Sequence, residues 1–97
     1  MKLRIGYLAY TIQQADKILH ADGEKYGLIE GDVITISRDA SVQMQKETLL
    51  HEILHAIEHQ SGLDIPEAVI SALSVGIFGV MRDNPRLVKE LFLPDGR

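Results

Sequence analysis

Residues Ser41 to Gly62 read SVQMQKETLLHEILHAIEHQSG. Apolar side chains recur through this stretch at helical spacing. On a wheel of 100° per residue, Leu49, Leu50, Ile53, Leu54, Ala56 and Ile57 share one broad side. His51, Glu52, His55, Glu58 and His59 share the other. That division is the mark of an amphipathic helix. The spacing predicts a helix from about Ser41 to Ser61, and Gly62 supplies the left-handed stop that ends many helices. Such a helix must lay its apolar side on another layer, so the fold depends on the segments flanking it.

The N-terminal flank reads as strands. Residues 2–9 alternate, with Leu3, Ile5, Tyr7 and Ala9 on one side, and predict one half-buried strand. TIQQADKIL is compatible with a short helix, and HADGE reads as a turn. In YGLIEGDVITIS, two β-prone runs flank Glu30-Gly31 and predict a hairpin with Ile34 and Ile36 facing the core.

The C-terminal flank reads as helices. Asp64 is placed to cap a second helix, with Pro66 in the first turn and Glu67 at the capping-box position. That helix runs to about Arg82 and is apolar nearly all round, which predicts a segment sandwiched within the core. A dimer contact is the alternative use of so much apolar surface. Asn84-Pro85 opens a short third helix with Leu87, Val88, Leu91 and Phe92 on its apolar side, and LPDGR reads as a loose tail. Strands followed by helices predict one α+β domain over residues 1–97. Its helices, an active-site helix and a second one backing it, pack on one face of a small, antiparallel-rich sheet.

Composition narrows the functional classes. The chain of 97 residues is 45% apolar and 25% charged, ordinary for a globular protein. Aromatics at 5% and the lack of Trp make the core mainly aliphatic. A formal charge of -4, with no dense Lys/Arg run, argues against a nucleic-acid partner. With no cysteine there are no disulfides, thiolate metal sites or cysteine nucleophiles, which fits a cytoplasmic protein. The apolar stretch behind Lys2 and Arg4 is too short for a signal peptide. The uncharged run Ala68 to Met81 is shorter than the roughly 20 residues of a membrane span. The expected state is a monomer or small homo-oligomer. A domain of this size gains from a bound metal, because metal affinity adds to folding free energy.

The polar face of the first helix has a plain reading: every amphipathic helix needs one. Its composition argues for more. A solvated face mixes Lys, Glu, Arg and Gln, whereas this one holds three of the chain's four histidines. His51 and His55 are one turn apart, about 6 Å along the axis. Both can point a ring nitrogen at one zinc about 2.0–2.1 Å away. Glu52 stands beside that point, where it can take a proton from water at the metal. His-Glu-x-x-His on a helix is the zinc-peptidase signature. Glu58 and His59 read as bystanders or as hydrogen-bonding support around the metal.

Through TLLHEILHAIEHQSGL, EAVISALSVGI and DNPRLVKEL, the chain resembles zincin metallopeptidases. It looks most similar to small phage or prophage members of the ImmA/IrrE-like group and to the minimal gluzincins. The resemblance covers roughly residues 26–92. His51, Glu52 and His55 match the motif one for one, while the hairpin and DNPRLVKEL match more softly. It implies an edge strand, DVITIS, that aligns a peptide beside the zinc. It implies a glutamate of the following helix as third ligand, a place that Glu67 occupies. It also implies a protein substrate inside the cell, and it allows a latent enzyme whose C-terminal segment covers the zinc.

The third ligand stays open between three residues. His59 shares the face, but it lies roughly 12 Å beyond His51 along a straight helix, and no glycine breaks the helix before it. Glu67 lies past the Gly62 turn, yet a capping role alone accounts for it. A tight antiparallel helix pair would also set His55 opposite Ile70 or Ser71 rather than Glu67. Asp64 is the reserve. The expected function is zinc-dependent peptide hydrolysis, with His51, His55 and Glu67 on the metal and Glu52 as general base. The oxyanion needs a further donor, and His59, Tyr26 and Arg82 are candidates among which the sequence does not choose; each also reads as an exposed polar residue, a strand-packing residue or a helix-end cation. The alternatives are a non-catalytic zinc-stabilised interaction module and a hydrolase holding its metal by His51, His55 and His59.

Overall fold

The structure, a computed structural model, describes residues 1–20 and 23–94. The turn expected at HADGE falls partly on Ala21 and Asp22, and the tail expected to be loose falls partly on residues 95–97. Those positions lie outside the described residues.

The strands are β1 (Lys2–Ile5), β2 (Leu8–Ala15), β3 (Ile18–His20), β4 (Gly23–Lys25), β5 (Gly27–Glu30) and β6 (Val33–Ser37). The helices are α1 (Val42–Ser61), α2 (Glu67–Asp83) and α3 (Leu87–Phe92). Four strands form one sheet in the order β1-β2-β6-β5, and β3 pairs with β4 apart from it. The fold is α+β, as the strand-then-helix order predicts.

The sheet is mixed. Its two hairpins, β1–β2 and β5–β6, are antiparallel, but β2 and β6 are parallel, with Thr11 opposite Val33 and Ala15 opposite Ser37. Two expectations fail here. Residues 2–9 are not one strand: the chain turns at Gly6-Tyr7, and Gly6 takes a φ of 57° that its lack of a side chain permits. A Cβ at Gly6 would also strike the side chain of Gln60. TIQQADKIL is not helical; most of its first half lies in β2. Gln13 reaches across the parallel seam to Thr35 Oγ1 (3.0 Å), and Gln14 reaches Gln45 Oε1 of α1 (2.7 Å). The second hairpin is as expected, turning at Gly31, φ 58°, between the paired residues Glu30 and Val33.

The core lies between the sheet and α1. Ile5, Tyr10, Ile34, Ile36 and Ala56 are buried together, with Leu49 and Ile53 packed against them. Burying a side chain such as Ile34 contributes roughly 1.5–3 kcal/mol. The stripe of α1 that meets the sheet is narrower than the wheel suggests, for Ile57 stays exposed. Ser41 caps α1, its side chain accepting the Met44 N–H (3.1 Å), and Gly62 ends it in the left-handed conformation, φ 68°. At that end Gln60 Nε2 donates to the Ile5 carbonyl (2.7 Å) and locks α1 to the β1–β2 turn.

The second helix is not sandwiched in the core. It packs against α1, and Ile70 and Ser74, four residues apart, are its buried residues. Val69, Leu73, Val75 and Val80 are exposed. An all-round apolar sequence predicts burial only if neighbours exist on every side, and the described part of this small domain offers α2 one substantial neighbour, α1. On α3 no residue is buried, and Leu91 and Phe92 are exposed. No described helix is long and apolar enough to cross a membrane.

Candidate metal centre

His51 and His55 leave α1 one turn apart and their rings converge. Their Nε2 atoms are 3.2 Å apart, and the ring planes meet at 63°. Glu67, the first residue of α2, comes back over both. Its Oε1 lies 2.6 Å from His51 Nε2 and its Oε2 lies 2.9 Å from His55 Nε2. One ligand atom from each residue falls within 4.8 Å of the others, so His51, His55 and Glu67 form a group able to hold a metal ion. Two donors on a tetrahedral zinc, each about 2.0–2.1 Å from it, stand about 3.3 Å apart. The 3.2 Å between the two imidazole nitrogens fits that demand.

The spacing difficulty is resolved in the loop. Gly62 N–H donates to the His59 carbonyl (3.3 Å) and Leu63 N–H to the Glu58 carbonyl (3.2 Å), the pattern of a Schellman ending. The chain then doubles back along α1. The Ile65 N–H donates to the Glu58 side chain at Oε2 (2.5 Å), level with the turn after His55. Helix α2 therefore starts beside the histidines rather than beyond the end of α1. The capping box is not formed. Pro66 is the N-cap, no side chain caps α2, and the Glu67 carboxylate is turned to the imidazoles instead.

Of the two readings the sequence allows for Glu58, bystander or hydrogen-bonding support, the structure favours the second. It is buried, with Oε1 3.0 Å from His55 Nδ1 and Oε2 on the loop. The Ile65 amide, and then His55, hold its carboxyl below the usual carboxylate range. A carboxylate on the far nitrogen of a metal-binding histidine fixes its tautomer and ring direction. The signal for it was present: Glu58 lies three residues after His55, on the same helical face.

Glu52 is buried, which an ordinary solvated polar face would not require. Burial raises its pKa, with His51 and His55 pulling the other way and Glu67 reinforcing the rise. Burial opposes charge on His55 too. There the hydrogen bond that His55 donates to Glu58 and the charges of Glu67 and Glu52 outweigh it, and the imidazole pKa is raised. Gly27 of β5 lies directly over Glu52. A Cβ there would collide with Thr48 Cγ2 and stand 3.1 Å from Glu52 Oε2. A lone glycine within a strand run is a sign of close backbone approach, and that sign was readable in YGLIEG.

The site lies in a groove of about 900 Å³. Lys25 to Ile29 form one wall, α1 from Met44 to His59 the floor, and Glu67, Ser71, Ser74 and Val75 of α2 the other wall. The strand at this wall is β5, an edge of the four-stranded sheet, whereas β6 lies between β2 and β5. DVITIS is therefore an inner strand and cannot be the edge. His59 and Asp64 line the groove but stand outside the ligand group, so the three-histidine arrangement and the Asp64 reserve are not what the structure builds. Tyr26 lines the groove as well. Arg82 does not; it pairs with Asp83 (3.1 Å) and lies over the Phe78 ring. Among the described residues, nothing beyond Val75 lines the groove, so a covering C-terminal segment is not found there. Comparison with known proteins gives no family: no family model, curated protein or solved structure matches the chain significantly.

Proposed function

We propose that the chain is a zincin-like metallopeptidase that hydrolyses peptide bonds in a protein substrate inside the cell. The observation that carries this reading is the convergence of His51, His55 and Glu67, with Glu52 buried between the two histidines in sequence and the group open to a groove. Two neutral imidazoles and one carboxylate are a donor set that suits zinc and leaves a fourth position free.

When bound, zinc would supply Lewis acidity toward a scissile carbonyl and toward water. The chain supplies the rest. Glu52 takes a proton from the attacking water and returns it to the leaving amine. Its pKa, raised by burial, moves toward the range such a shuttle needs. Glu67 and the two histidines hold their places through the α1–loop–α2 unit. β5 is an edge strand of the four-stranded sheet and lies along the groove wall, where an extended peptide can add as a further strand. His59 and Tyr26 stand at the groove as donors for the oxyanion.

The test joins metal analysis to one substitution. The purified protein is expected to bind zinc and to cleave a peptide substrate selected from a library. Glu52→Gln is expected to keep the zinc and lose about 10²–10⁴-fold in cleavage rate. Cleavage that survives this change would remove Glu52 from the mechanism. Zinc binding with no cleavage of any peptide by the unaltered protein would favour the interaction module.

A further inference from the structure

We infer that Glu58 is a positioning residue which makes the short interval between His55 and Glu67 workable, an inference that rests on the metal-site reading above. Both of its carboxylate oxygens are committed. Oε1 lies 3.0 Å from His55 Nδ1, and Oε2 accepts the Ile65 N–H. Its backbone carbonyl accepts the Leu63 N–H (3.2 Å). One residue thus grips a ligand imidazole with one oxygen and the returning loop with the other, two residues before Glu67.

Each grip has a separate consequence. With Nδ1 of His55 held by a carboxylate, the ring direction is fixed and Nε2 faces Glu67 Oε2 and His51 Nε2. With Ile65 fixed to Glu58, the loop cannot relax toward the end of α1, where α2 would begin too late for Glu67 to reach the histidines. No lysine or arginine approaches within ion-pairing distance of Glu58 among the described residues; its partners are the imidazole and the amide. The groove wall formed by the start of α2 therefore depends on this carboxylate.

The test is a double-mutant cycle on zinc affinity, read by chelator competition, for the unaltered protein, Glu58→Gln, Glu67→Ala and the double variant. Gln keeps the shape but has one acceptor oxygen for two donors. Glu58→Gln is expected to weaken zinc binding about 10–100-fold. In the Glu67→Ala background the same change should cost markedly less, because the part exerted through Glu67 is gone. Thermal melting of the metal-free proteins checks that folding is retained. If Glu58→Gln does not fold, Glu58→Asp takes its place, keeping the charge but shortening the reach, with the same expected loss. Equal zinc affinity in Glu58→Gln and the unaltered protein would overturn the inference while leaving the metal site standing. Equal losses in both backgrounds would overturn the link to Glu67. An unaltered protein that binds no zinc would remove the metal site and the inference with it.

Discussion

The carboxylate of Glu67 sits 2.6 Å from Nε2 of His51, although the two residues belong to different helices and Glu67 is 64% exposed. An exposed carboxylate held this close to an imidazole is placed by the backbone that carries it, not by burial of its own side chain. The loop from Gly62 to Pro66 sets that backbone.

If Glu67 is the third ligand, Glu67→Ala lowers zinc affinity much more than His59→Ala. Losing an outer partner of a ligand costs about 10–100-fold, so losing the ligand itself should exceed about 100-fold. His59 stands outside the group, and its removal should leave the affinity within a few-fold. Competition with a chelator reads both, and a larger loss for His59→Ala would reverse the assignment.

Gly27→Ala is expected to damage catalysis more than metal binding. The added methyl meets Thr48 Cγ2 and crowds Glu52 Oε2, and its nearest contacts belong to Thr48 and Glu52 rather than to His51, His55 or Glu67. Overpacking of this kind costs about 1–3 kcal/mol. Thr48→Ser removes the colliding methyl and should restore part of the melting temperature. A Gly27→Ala variant as stable and as active as the parent would mean that β5 does not press on Glu52.

The metal-free protein should be less stable at pH 8 than at pH 6. The pKa values of Glu52 and His55 are both raised by folding, so the stability each contributes is present at low pH and is lost as pH rises through the folded-state value. For Glu52 the loss starts in the carboxylate range; for His55 it starts from about pH 6.5 upward. Glu58, with its pKa lowered, acts only at the acid end, where its contribution disappears on protonation. Zinc should invert the trend between pH 6 and 8, since ligand histidines must be neutral to bind. Melting temperatures with chelator and with zinc at the two pH values check both signs. A metal-free protein that melts higher at pH 8 would contradict the first.

Features set by local pattern were legible in the sequence. The bounds of α1 follow from Ser41, the apolar spacing and Gly62. The inward direction of Ile34 and Ile36 follows from strand alternation. The convergence of His51 and His55 follows from one helical turn. Features set by distant neighbours were not. Gln13-Gln14 gives no strand signal, because those residues find partners on β6 and α1 far along the chain. The exposure of Val75 and Val80 depends on how many elements surround α2, which hydrophobicity does not encode. Asp64 has the residue type of a cap, but the loop, tied to Glu58, makes Pro66 the start of the helix.

The parallel pairing of β2 with β6 bears on the order in which the molecule assembles. Thr11 meets Val33 only after the chain between them has looped round, and closing such a loop is slower than zipping a hairpin or winding a helix. The three ligand residues need none of that seam, because all lie within one helix–turn–helix segment. A metal held by that segment would need only local contacts, those of α1, the loop and the start of α2. The docking of α1 and its neighbours onto the completed sheet needs the distant pairing as well.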